Sequence, residues 1–87
     1  MQFINVGFGN AVSSERIVVI ASPDSSPVKR LVSEAKDAGR VIDVSCGHKT
    51  RSVIVTDSEH VVLSALSPDK ITGRLNGGQD SKDDGEE

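Results

Sequence analysis

Cys46 is the only cysteine in the chain, and that single thiol narrows what the sequence can fold into more than any other feature. No internal disulfide can form, and the thiol with His48 and His60 leaves too few soft ligands for a closed structural zinc site. Stability must come from packing alone, yet only 36% of the 87 residues are hydrophobic and the aromatic content is Phe3 and Phe8. A domain of this size hides about 60% of its unfolded surface, so a lone subunit is marginal and self-association is the expected remedy. The length excludes a multidomain enzyme. No apolar run approaches the roughly 18 residues of a membrane span, and the start is not the basic-then-apolar pattern of a secretory signal. A cytoplasmic protein, without cofactor or metal, is the expectation.

Charge divides the chain after Leu75. Nine Lys/Arg face eight Asp/Glu up to that point, and one Lys faces five acids beyond it. Residues 76–87 contain no hydrophobic side chain and cannot repay the entropy of ordering, so they read as a disordered acidic tail behind a folded domain of residues 1–75.

Within the domain, residues 2–6 read as a strand that reverses at Gly7-Phe8-Gly9-Asn10, where two glycines and an asparagine supply turn conformations. Residues 16–21 (RIVVIA) are β-branched and apolar on both faces, which predicts a central strand covered on both sides. Ser25 and Ser26 before Pro27 form a helix start, and Val28, Leu31, Val32, Ala35 and Ala38 fall on one stripe, so a helix is predicted over residues 27–38 with Gly39 ending it. Residues 40–44 and 51–56 suggest a hairpin closed by Ser45-Cys46-Gly47-His48. The period of two puts Val53 and Val55 on the face of Lys49 and Arg51, with Ser52, Ile54 and Thr56 opposite. Asp57-Ser58-Glu59-His60 reads as a turn, residues 61–65 as a further strand, and Ser67-Pro68-Asp69 as the cap of a short final helix weakened by Gly73. The predicted class is α+β: a small mixed sheet, one amphipathic helix and a short C-terminal helix.

Chemistry-bearing residues are few. The Gly7 and Gly9 pair resembles the start of a dinucleotide fingerprint, but Val12 stands where the third glycine is needed, so the glycines are read as turn residues. Phe8 between them is either a core residue or an exposed anchor at an oligomer interface. Cys46, His48 and His60 show no spacing that orients a nucleophile or completes a metal site, and the carboxylates are scattered singly, so an enzyme is not expected. The cations are more informative. His48, Lys49 and Arg51 cluster, Arg16 opens the RIVVIA strand, and Lys29 and Arg30 occupy the first helical turn, where they oppose the helix dipole. A phosphate-bearing partner such as double-stranded DNA would explain them; acidic protein surfaces met by an adaptor are the alternative, with a metal or redox sensor behind both.

FINVGFGN (3–10), SPDSSPVKRLVSEAKDAGRVID (22–43) and GHKTRSVIVTDSEHVVLSAL (47–66) resemble the bacterial RemA family, the extracellular matrix regulatory proteins. The resemblance runs over about residues 2–75. It implies a LytTR-like fold and a non-enzymatic, nucleoid-associated transcriptional regulator of matrix and biofilm genes. It further implies roughly octameric, ring-shaped homo-oligomers that bend duplex DNA around a basic surface. Carried over by position, the DNA contacts are Arg16, His48, Lys49 and Arg51; Lys29 and Arg30 are further candidates from their place in the first helical turn, and Phe8 is the expected oligomer contact from its place between the turn glycines. The family usually has two consecutive arginines where this chain has His48 and Lys49. Lys keeps the charge and loses the planar fork, so weaker, more salt-sensitive and more pH-sensitive binding is expected. The acidic tail is expected to compete for the basic face.

Overall fold

The computed structural model describes residues 2–76. In chain order the elements are β1 (Phe3–Gly7), β2 (Asn10–Ser13), a 3₁₀ turn (Ser14–Arg16), β3 (Ile17–Ala21), α1 (Ser26–Asp37), β4 (Val41–Asp43), β5 (Ser52–Thr56), β6 (Val61–Ser64) and α2 (Pro68–Leu75). The α+β class is as expected. The predicted tail begins at the edge of this region, and residues 77–87 lie outside the described residues.

The centre of the molecule is the antiparallel β5–β6 hairpin, with Ile54 opposite Val62 and Val53 opposite Leu63. Its loop closes through the Thr56 N–H on the His60 carbonyl and the Glu59 N–H on the Thr56 carbonyl, both at 3.0 Å. The side-chain alternation predicted for residues 52–56 holds. Ile54 and Val62 face one side with Ile4, Val6, Leu66 and Ile71, while Val53, Val61 and Leu63 face the other with Ala35 of α1. The sheet is therefore sandwiched between α1 on one face and the β1–β2 hairpin with α2 on the other.

The four-stranded sheet has the order β3-β5-β6-β4, with β4 parallel to β6 and β3 antiparallel to β5. The chain leaves β3, crosses one face as α1, returns as β4 with room for two strands between, and fills that gap with the β5–β6 hairpin: a split β-α-β unit. Two expectations fail here. Residues 40–44 do not pair with residues 51–56, because β4 docks beside β6 and residues 44–51 form a long connection rather than a hairpin turn. RIVVIA is an edge strand, and Val18 and Val19 are 63% and 44% exposed. A two-sided apolar pattern specifies what a strand would bury, not whether it has a neighbour on both edges.

The helix forms one residue earlier than predicted, with the Ser25 hydroxyl accepting from the Val28 N–H at 3.4 Å. Its C-terminal cap closes through the Gly39 and Arg40 N–H groups on Lys36 and Ala35 carbonyls. Val28, Val32 and Ala35 pack on the sheet, but Leu31 and Ala38 do not share that burial, so the stripe is narrower than predicted. Strand β2, not foreseen, pairs with β1 across a two-residue Phe8-Gly9 turn. Gly7 has φ +109°, a backbone conformation that side-chain-bearing residues rarely adopt, which ties this position to glycine. Buried Ser64 clips the hairpin layer to the sheet: its hydroxyl donates to the Val6 carbonyl at 2.7 Å and accepts from the Leu66 N–H at 3.0 Å.

Candidate nucleic-acid interface

Strand β5 has a cationic region at each end. Before it, the connection from β4 carries His48, Lys49, Thr50 and Arg51; after it, Asp57 lies against Arg16. Six residue steps of extended chain separate residues 51 and 57, roughly 20 Å. The structure thus splits the candidate contacts of one subunit into two places.

The N-terminal place is built by local turn chemistry. The Asp43 carboxylate accepts from the Ser45 N–H at 3.0 Å and from its hydroxyl at 2.7 Å. The Ser45 hydroxyl, then its N–H, then the charge of Lys36 hold the Asp43 carboxyl below its ordinary value despite some opposing desolvation. The next residues close a tight turn, with Cys46 at φ 55° and the His48 N–H on the Ser45 carbonyl at 3.0 Å. The His48 ring then stacks on Phe8, with centroids 4.9 Å apart and planes 17° from parallel. Phe8 is itself held at φ 53°, where the Asn10 side chain donates to the Gly7 and Phe8 carbonyls at 3.0 and 3.2 Å. Two strained turns far apart in sequence therefore brace each other. The loop ends at Arg51, whose N–H donates to the Ser64 carbonyl at 2.8 Å and extends the ladder one residue beyond β5.

Helix α1 runs beside this loop, and Lys29, Lys36 and Thr50 border one groove. Among the described residues, Lys29, Arg30, Lys36, Lys49 and Arg51 form no ion pair, and all five are exposed. Lys36 went unrecognised in the sequence, although it stands two turns from Lys29 on the same helical face, the signal that would have found it.

The far end is different. Arg16 ends the 3₁₀ turn just before β3, and its Nε donates to the Asp57 carboxylate at 2.6 Å. The Asp57 N–H returns a bond to the Arg16 carbonyl at 2.8 Å. His60 is at this end too, its Nδ1 2.8 Å from the Ser58 hydroxyl, so β5 lies between it and the Cys46–His48 turn. Among the described residues no three His, Cys, Asp or Glu side chains gather as metal ligands, and no helix is long and apolar enough to cross a membrane. Phe8 is half-buried against His48 and is not one of the core residues.

These features define a small α+β domain whose distinctive chemistry lies on an exposed, braced basic loop and an adjoining helix. The family model described as RemA-like, extracellular matrix regulatory protein A-like, matches residues 3–75. Relatives named as regulatory proteins include one from Geobacillus thermodenitrificans, 47% identical over 98% of both chains. Another, from Carboxydothermus hydrogenoformans, is 54% identical over 87% of both, and one from Acaryochloris marina is 51% identical over 95% of this chain and 94% of its own. The chain belongs to the RemA-like family of regulatory proteins.

Proposed function

We propose that this protein is a DNA-binding transcriptional regulator that works as a ring-shaped homo-oligomer, without enzymatic activity, in the cytoplasm at the nucleoid, on genes of the extracellular matrix. The observation that carries the reading is the division of the cations: those on the β4–β5 loop and α1 form no ion pair among the described residues, while Arg16 and Arg40 are ion-paired. Uncompensated Lys and Arg on an ordered loop gain most from releasing the counterions of a phosphate backbone. Lys49 and Arg51 make the main phosphate contacts, with His48 beside them and Lys29 and Arg30 on the helix; Arg16 reaches a second backbone segment about 20 Å away.

The sheet supports the oligomeric part. Its two edges are different strands, β3 and β4, and each presents exposed apolar side chains: Val18 and Val19 on one, Ile42 at 47% exposure on the other. Unlike edges that join head to tail make a heterologous contact, which closes into a ring when the rotation allows. Few contacts per subunit then become many on one continuous surface, and specificity comes from DNA deformability more than from base contacts.

The test is fluorescence anisotropy of the full chain on labelled duplex DNA across a salt series, with light scattering on the same samples. Saturable binding by an oligomer with a steep salt slope is expected. Absence of binding at low salt would overturn the DNA assignment, and a monomer that binds equally well would overturn the ring.

A further inference from the structure

The positive charge of the basic loop is left unanswered by the described residues. Lys49 and Arg51 form no ion pair among them, and Asp43, the acid at the start of the connection, has its carboxylate already bonded to Ser45. The opposite imbalance lies at the other end of the chain. Residues 77–87, which are outside the described residues, hold Asp80, Asp83, Asp84, Glu86 and Glu87 against Lys82 alone, five acids less one lysine for a formal charge of −4.

The attachment point of this segment brings the two together. The chain approaches α2 at the same end of the sheet as the basic loop: the Arg51 N–H donates to the Ser64 carbonyl at 2.8 Å, and the Ser52 hydroxyl donates to the Leu66 carbonyl. Helix α2, 8 residues long, carries the chain about 12 Å from there to its cap at Asn76. The seven residue steps from Asn76 to Asp83 span up to about 24 Å, twice that distance, and Gly77-Gly78 put no side chain in the way of a reversal. A tether this short gives the acids an effective concentration at the loop on the order of millimolar. Other cations within reach are already engaged. Lys70 and Arg74 on α2 have partners, for Arg74 the Asn5 carbonyl at 2.8 Å, and Arg16 at the far end of β5 is held by Asp57.

We propose that residues 80–87 dock on the basic loop of their own subunit, with Lys49 and Arg51 as the main contacts, so that the loop's charge is covered until a denser polyanion displaces the segment. The contact is screened by salt and reversible. One isolated anionic group competes poorly with a tethered one, whereas a polyanion that engages several subunits at once displaces every tail in turn. The proposal rests on the charge and placement of the loop and not on DNA binding, and its test contains no DNA, so either can fail while the other stands.

Cys46 is the only thiol, is exposed, and stands three residues before Lys49, so it reports the potential at the loop without an added label. The experiment compares its rate of reaction with dithionitrobenzoate, a dianion, and with neutral iodoacetamide. The ratio of the two rates removes effects common to both reagents. It is measured on the full chain and on a variant carrying Asp80→Asn, Asp83→Asn, Asp84→Asn, Glu86→Gln and Glu87→Gln, and again with Lys49→Ala and Arg51→Ala added to each, which completes a double-mutant cycle. Lys49 and Arg51 are exposed, and unchanged circular dichroism verifies that the fold is intact. Neutralising the segment should raise the ratio about threefold to fivefold at about 20 mM salt and leave it unchanged at about 0.5 M. In the background lacking Lys49 and Arg51 the same change should have less than about a 1.5-fold effect. A ratio indifferent to the neutralised segment would overturn the docking. An equal rise in both backgrounds would show a field that does not depend on Lys49 and Arg51, and would overturn it as well.

Discussion

The two ends of strand β5 carry arginines of opposite standing. Arg51 stands on a loop braced by the Asp43–Ser45 bonds and the Phe8–His48 stack and has no ion-pair partner among the described residues, while Arg16 donates to Asp57 at 2.6 Å. Both are exposed single cations in the sequence, and only one offers its full charge to a phosphate. A census of basic residues therefore overstates the field available to a ligand, because an adjacent carboxylate cancels most of it before any partner arrives.

The strongest way to break this comparison is at the loop. Replacing Lys49 and Arg51 together by Ala should lower duplex affinity at least about a hundredfold and flatten the salt slope by about 1.8 for each subunit in contact with the duplex, close to 0.9 for each lost phosphate contact, in an anisotropy salt series. An unchanged slope would remove the loop from the interface. Arg16→Ala should cost less, about threefold to tenfold, because part of its charge is already spent on Asp57. A loss equal to that of the loop variant would erase the distinction. Asp57→Asn sharpens the same point in the other direction, raising affinity by about two- to threefold as the guanidinium is released, by the same assay.

The bracing can be tested apart from DNA. Phe8→Ala removes the stack on His48 and should cost about 1 kcal/mol in denaturant unfolding, with amide-exchange protection lost first in residues 45–51. The smallest effect concerns Asp43. Its carboxyl is held below the ordinary 3.8, so the charged form contributes stability that is fully present above that value and is lost as the pH falls through it toward the folded-state value. Amide-exchange protection at the 45–48 turn, taken relative to the β5–β6 hairpin at the same pH, should be constant from pH 7 to pH 5 and fall below about pH 4. Asp43→Asn should abolish that pH dependence.

Legibility in the sequence followed locality. Helix α1 was readable because its cap, its proline and its Val28, Val32 and Ala35 stripe lie within a dozen residues of one another. Strand β5 was readable in its faces, since alternation is a property of the strand itself. The basic loop was readable as a cluster because its members are consecutive. Strand order was not, and the β4–β5 hairpin was the natural reading of two neighbouring strands with a turn between them, whereas β4 pairs in parallel with the later β6. The candidate site shows the same boundary. The partner of Arg16 lies 41 residues away, and that of Phe8 lies on a different turn, so no spacing rule would pair them.

By itself, then, the sequence determined the α+β class, the helix and its ends, the turns, which side chains share a strand face, and the presence of a basic segment before β5. The physical reason is that capping, backbone conformation and side-chain period are short-range terms, each decided by residues within one or two turns of chain. Only the tertiary structure decided that RIVVIA is an edge, that Lys29 and Lys36 share a groove with Thr50, and which cation remains free of a carboxylate. Those outcomes depend on which apolar faces find one another across the whole chain, and many strand orders satisfy the same local pattern until side-chain packing selects one.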